Sequence, residues 1–201
     1  MDIEIIKTET KEVPQSFSRL SGNKFNYIWL TSTPREQVSA QEIAHIFKTG
    51  FGYKNWGCYF HFAVGDDGIF ESIPLSHTLS LRQAYRSEEW KSKENGIVIN
   101  MCARNSRVDS HTRRNGTCPG WFFGIRTQYF AARLIANLMQ EYSIPLYHIK
   151  RYSEFAPNLY LPAPFYGAKM VEEAGCSRTE YWHRFLKAIK QEQKNLASGV
   201  A

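Results

Sequence analysis

Apolar positions along this chain recur with two periods, and the alternation between them lays out the elements. Asn26–Thr31 and Ile97–Cys102 are short, strongly apolar runs and read as buried strands. Cys58–Val64 and Ile69–Ile73 read as two strands around an Asp67-Gly68 turn, because both turn positions favour positive φ. Ile3–Lys7 is a possible strand within an otherwise irregular arm, and Ile144–Ile149 is strand-like and delivers His148. Helical spacing appears three times. Ser39-Ala-Gln-Glu42 is a capping box, and the helix it opens should bury Ile43, Ile46 and Phe47 and stop at Gly50. A longer helix over about Ile125–Tyr142 places Phe130, Leu134, Leu138 and Tyr142 at i, i+4 spacing. A second capping box, Ser177-Arg-Thr-Glu180, opens a last helix that packs Trp182, Phe185 and Ile189. Ser80–Asn95, residues 103–120 and Pro157–Tyr166 read as loops. Strands alternating with helices predict an α/β fold: a single domain with a central mixed β-sheet flanked by helices. The expected boundaries are an arm at 1–25, the domain at 26–196 and a flexible tail at 197–201.

With 201 residues, 43% of them hydrophobic and 14% aromatic, the chain can bury a real core and is not compositionally disordered. No apolar run is long enough to cross a bilayer, and the start, Met-Asp-Ile-Glu-Ile-Ile-Lys, lacks the form of a signal peptide. A cytoplasmic location is therefore expected; a phage-encoded protein released by lysis would look the same. The formal charge of +6 suits an anionic wall, nucleotide or nucleic acid without choosing among them. The cysteines, Cys58, Cys102, Cys118 and Cys176, lack paired metal-finger spacing, and Cys58 and Cys102 sit in apolar runs as small core residues.

The stretch from Trp56 to His77 carries more information. It reads Trp-Gly-Cys-Tyr-Phe-His-Phe-Ala-Val-Gly-Asp-Asp-Gly-Ile-Phe-Glu-Ser-Ile-Pro-Leu-Ser-His. This resembles the type 2 N-acetylmuramoyl-L-alanine amidases, a zinc family that includes small phage lysozymes and the peptidoglycan-recognition proteins. The family pattern is roughly Gly-Tyr-His-Phe, an Asp-Gly turn, and then a cleft histidine. The rest of the chain keeps the family's order: first strand, helix, hairpin, an "Ile-Gly-Ile" strand, a long helix, a histidine after the next strand, and a Trp-containing closing helix. The resemblance covers about residues 26–190 and rests on this ordered set.

The resemblance implies hydrolysis of the amide between muramic acid and L-alanine. Such a site takes two histidines plus a Cys or Asp on zinc, an open position for water, and a nearby Glu or Tyr. Here the first ligand position falls on Leu30 or Thr31, depending on register; the tyrosine position is Phe60 and the glutamate position is Val98. His148 matches the second ligand. For the third, the space after His148 holds Glu154, Ala156 and Leu161, so Cys176 qualifies only if residues 153–175 are an insertion. Cys118-Pro-Gly resembles the ligand motif but precedes the long helix and reads as a loop turn. His77 matches the cleft-wall histidine, His61 reads as a packed strand residue, and His45 and His183 as surface or edge residues.

The remaining positive signal is basic. Arg104, Arg107, His111, Arg113 and Arg114 crowd one loop, expected to leave the sheet at the same end as His148, with Lys150 and Arg151 adding to it. Arginine forks suit phosphate or carboxylate. Trp90 and Trp121 flank the loop and could stack a sugar or base, although core packing explains Trp121 as well. The reading is a catalytically degenerate amidase-fold protein with no cofactor. It would bind a muropeptide or other small anionic ligand, or a protein partner, in the former cleft. Its ligand-binding residues would be Thr31, His77, Arg104, Arg107, Arg113, Arg114, His148 and Lys150. The alternative is an active zinc amidase with rearranged metal ligands, His148 and Cys176 with His77. No membrane partner is expected, and nucleic acid is not favoured because the arginines are confined to one loop.

Overall fold

The computed structural model describes residues 4–7, 25–33, 39–48, 60–76, 96–105, 121–154, 162–165 and 170–199. In chain order the elements are β1 (Ile5–Lys7), β2 (Tyr27–Thr33), α1 (Ala40–Lys48), β3 (Phe62–Gly65), β4 (Gly68–Glu71), β5 (Gly96–Cys102), β6 (Arg104–Asn105), β7 (Trp121–Phe122), α2 (Ile125–Tyr142), β8 (Ile149–Arg151), β9 (Met170–Val171), β10 (Cys176–Ser177) and α3 (Arg178–Ala197). Six strands form one mixed sheet in the order β1-β4-β3-β5-β2-β8. β3, β5, β2 and β8 run parallel, and β4 pairs antiparallel with β3. β1 pairs parallel with β4 at the edge, so the amino-terminal arm contributes a strand to the sheet.

Strand alternation sorts the side chains. Ile28, Leu30, Phe62, Val64, Ile97, Ile99 and Met101 join Leu134, Leu138, Trp182, Phe185 and Ile189 in one buried cluster, so α2 and α3 cover the same sheet face. α1 packs against β3 and β4, and its buried Ile43 and Ala44 lie outside that cluster, on the other face. Both serines cap their helices as expected: Glu42 N–H donates to Ser39 Oγ at 3.0 Å, and Glu180 N–H to Ser177 Oγ at 3.2 Å. Leu134 and Leu138 are buried, with Phe130 and Tyr142 partly so. The side chains of Ile46 and Phe47, and Gly50, lie outside the described residues.

Two local expectations are corrected. The hairpin turn is Asp66-Asp67, closed by the Gly65–Gly68 pair, one residue before the predicted turn; Gly68, at φ 134°, begins the return strand in a conformation that an L side chain resists. The run Ile144–Ile149 is not one strand. Pro145 opens a 3-10 turn over Leu146–His148, and the strand starts only at Ile149. Among the described residues, no helix is long and apolar enough to cross a membrane.

Candidate functional site

Open α/β sheets build their sites at the carboxyl ends of the parallel strands. Here those ends bring together the last residues of β2, β5 and β8. The register pairs Thr31 with Asn100, and Leu30 with Arg151, and Tyr152, the next residue after β8, opens a 3-10 turn near the end of β2. Leu30, Ile99 and Met101 point into the helix-side core, which turns Thr31 and Asn100 to the opposite face. Of the two residues at the expected ligand position, Leu30 belongs to the helix-side core and Thr31 faces away from it. The result is a group of amide, hydroxyl and phenol residues at the ends of β5 and β2 and in the 3-10 turn that follows β8, with Asn100, Thr31 and Tyr152 each 2% exposed.

Thr33, two residues beyond Thr31, donates its hydroxyl to Asn100 Oδ1 at 3.1 Å. Among the described residues, the buried Asn100 Nδ2 has no hydrogen-bond partner. Turning the amide over would exchange the two atoms, so in either orientation one polar atom of Asn100 bonds Thr33 and the other does not. Cys102 lies on the same face; burial, and secondarily the carboxylates of Asp67 and Asp66, push its thiol well above the ordinary range, so it is no thiolate nucleophile at neutral pH.

Val98, the expected glutamate position, lies on the face of Thr31 and Asn100 beside Trp29 and is buried. Its N–H donates to the ring Nδ1 of the fully buried His61 at 3.0 Å, which makes His61 a strand-packing residue. Phe60, the tyrosine position, is 1% exposed.

His148 is not in this group. It precedes β8 beside Tyr27, where its Nδ1 meets Asn26 O at 2.8 Å and its ring lies between those of Tyr27 and Tyr147, 4.5 and 4.4 Å away. Tyr27 and Thr31 are four strand residues apart, about 13 Å at about 3.3 Å each. Arg104 follows β5 at the carboxyl end, so Arg104 and His148 lie at opposite ends of the strands rather than at one end; the rest of the basic loop lies outside the described residues. The cause is the 3-10 turn, which places His148 before the strand rather than after it.

Cys176 is buried in the helix-side cluster with Phe165 and Trp182, across the sheet from Thr31 and Asn100. Arg104 forms an ion pair with Asp66. Lys150 is 3.7 Å from Glu154, which also accepts from Arg151 Nε at 3.0 Å. Trp121 is a core residue at 3% exposure, whereas Trp90, His77, Arg107, His111, Arg113 and Arg114 lie outside the described residues.

The donor set of the group does not suit zinc, which takes imidazole, thiolate or carboxylate. Among the described residues, no three His, Cys, Asp or Glu side chains gather as a metal site requires. Asn100 and Tyr152 escaped the sequence reading. The signal for Asn100 was its place as the lone amide in an otherwise apolar strand of period two. For Tyr152 it was the strand boundary, which the histidine obscured.

No family model matches the chain, and no curated protein sequence does. Solved structures match over nearly its whole length. The chain is similar to the PlyG catalytic domain (19% identity, 95% of this chain and 96% of that one, TM-score 0.60). It is similar to a mutant endolysin from Bacillus subtilis (18% identity, 94% and 99%, TM-score 0.58). It is also similar to the Staphylococcus aureus hydrolase AmiA in complex with its ligand (12% identity, 98% and 87%, TM-score 0.61). Likeness at such low identity speaks to architecture, and it agrees with the sheet order and helix placement above: the chain has the amidase fold of the phage endolysins.

Proposed function

We propose that this chain is a ligand-binding protein built on the amidase fold, and that it takes a muropeptide or a similar small anionic ligand at the carboxyl ends of β2, β5 and β8 without hydrolysing it. The observation that carries this reading is the chemistry of Asn100, Thr31 and Tyr152 at the carboxyl end of the sheet: they are neutral hydrogen-bonding groups, whereas a hydrolytic zinc takes imidazole, thiolate or carboxylate. Neutral donors and acceptors on rigid strands favour recognition of amide and hydroxyl groups, and the basic loop that leaves β5 supplies charge for a carboxylate or phosphate.

The test joins two measurements on the same purified chain: elemental analysis after incubation with zinc salt and dialysis, and calorimetric titration with a soluble muropeptide. Binding without retained zinc, weakened when Asn100 becomes Ala, supports the reading. About one zinc per chain together with release of peptide from cell walls overturns it in favour of a zinc amidase.

A second reading, a protein partner docking at the same end, is favoured by Ile125, 86% exposed at the first position of α2. Co-purification that Ile125→Glu abolishes would establish it.

A further inference from the structure

The last helix carries two faces of different character. Tyr181, Trp182, Phe185 and Ile189 are buried against the core. On another face, His183, Lys187, Lys190 and Lys194 fall at i, i+4, i+7 and i+11, which confines them to about 60° of the helix circumference over about 16 Å of its length. All four are exposed.

The two acidic residues of α3 do not neutralise this stripe. Glu180 accepts from Arg184 at 2.6 and 3.1 Å. Glu192 lies on the far side of the helix and accepts from Asn195 at 3.2 Å. Among the described residues, none of the three lysines has an acidic partner. Like charges at i, i+3 and i, i+4 repel. Lys194 gains from the carbonyl end of the helix, but Lys187 and Lys190 are in mid-helix and gain nothing there.

We propose that this face binds a phosphodiester polymer lacking bases, a polyol phosphate chain laid along the helix. The stripe has the length and single sign to neutralise several successive phosphates. A lipid surface fits less well, because an interfacial helix must offer an apolar face and that of α3 is already buried. A single-stranded nucleic acid fits less well, because its bases need aromatic platforms and the exposed neighbours of the stripe, Thr179, Glu180, Arg184, Ala188 and Gln191, include no aromatic side chain. A duplex presents its phosphates on two strands, and the stripe is one row. This site is on the helix side of the sheet, away from the group around Thr31, so it does not depend on what that group does.

The experiment uses the full chain and a lipid-free poly(glycerol phosphate), with affinity measured over a range of salt concentrations. Lys187→Gln with Lys190→Gln keeps good helix formers and should flatten the plot of log affinity against log salt by about 1.4, or about 0.7 per lost contact. The control, Lys7→Gln with Arg126→Gln, removes the same charge elsewhere on the surface and should leave the slope unchanged; circular dichroism confirms that both variants fold. An equal loss in the two variants would reduce the effect to net charge and overturn the proposal. So would a wild-type chain that does not bind the polymer, or one that binds a thymidine oligonucleotide of equal charge as tightly.

Discussion

Asp66 and Asp67 are neighbours in one hairpin turn, yet they cap two different helices. Asp66 Oδ1 accepts from Thr127 N at 2.9 Å and from Thr127 Oγ1 at 2.7 Å, in the first turn of α2. The Asp67 carboxylate accepts from Ala40 N at 2.9 Å and Gln41 N at 3.1 Å, at the start of α1. Free N–H groups and the positive end of the helix dipole favour a carboxylate at both places. The N-cap residue of α2 is Gly124, which has no side chain to offer, so the cap comes from 61 residues away. The turn therefore ties the sheet to a helix on each face, and Arg104, paired with Asp66, ties in the start of the basic loop.

Asp66→Ala and Asp67→Ala should each destabilise the chain by about 1–2 kcal/mol, the usual cost of losing a helix cap. The Asp66 change should be the larger, because it also releases Arg104. Gly124→Ala should cost about 1–3 kcal/mol, since a Cβ there would overlap the Asp66 carboxylate. Urea midpoints measure all three. Gly124→Ala combined with Asp66→Ala should cost less than the sum, because the collision is then gone.

The alkaline limit of stability should be set in part by Tyr181. Its hydroxyl donates to Phe123 O at 3.0 Å and accepts from Phe123 N at 3.2 Å, and burial pushes its pKa up to about 12. In the unfolded chain a tyrosine ionises near its ordinary value of about 10. Between these values the unfolded state releases a proton that the folded state keeps, so stability falls as pH rises through that window, by about 2–3 kcal/mol in all. Tyr142, raised to about 12 chiefly by burial and then by Glu141, titrates over the same range. The difference between wild type and Tyr181→Phe isolates the Tyr181 share: the variant should start less stable and lose less between pH about 10 and about 12. Parallel pH profiles would refute this account.

His148→Ala should separate structure from function. The imidazole holds Asn26 O and packs between Tyr27 and Tyr147 at the amino end of β2. Losing it should cost about 1–2 kcal/mol of stability, from one hydrogen bond and the ring contacts. Muropeptide affinity should stay within about twofold, because the group around Thr31 lies at the other end of the strands. Calorimetry on the folded variant decides; an affinity collapse would return His148 to the binding site.

These cases mark what the sequence could disclose. Local signals were legible. Ser39 and Ser177 announce their helices because a cap bonds only three residues onward, and Leu134 and Leu138 fall on the buried face because helical periodicity is also local. The caps from Asp66 and Asp67 were illegible because their partners lie 61 and 27 residues away. His148 misled for a related reason. A histidine near a strand looks the same before it as after it, and only the pairing of Ile28 with Ile149 fixes which end it occupies. The site needed that same long-range register, although the polar Asn100 among Ile97, Ile99 and Met101 already signalled a second face.

If Thr31, Asn100 and Tyr152 occupy a position where a metal could sit, the right donors should create a metal site there. Thr31→His, Asn100→Asp and Tyr152→His together place two imidazoles and a carboxylate on β2, on β5 and just after β8, strands that neighbour one another at about 4.8 Å. That is a donor set zinc accepts, with a fourth position left for water. The triple variant should retain about one zinc per chain through dialysis, where the wild type should retain none. At about a hundredfold excess of zinc over its dissociation constant, the gain in stability should be about 2.7 kcal/mol, read as a rise in Tm that chelator reverses. The single variants should show little of it, because one donor does not hold the ion. A folded triple variant that ignores zinc would mean that these side chains do not converge, and the binding site would have to be sought elsewhere on the sheet.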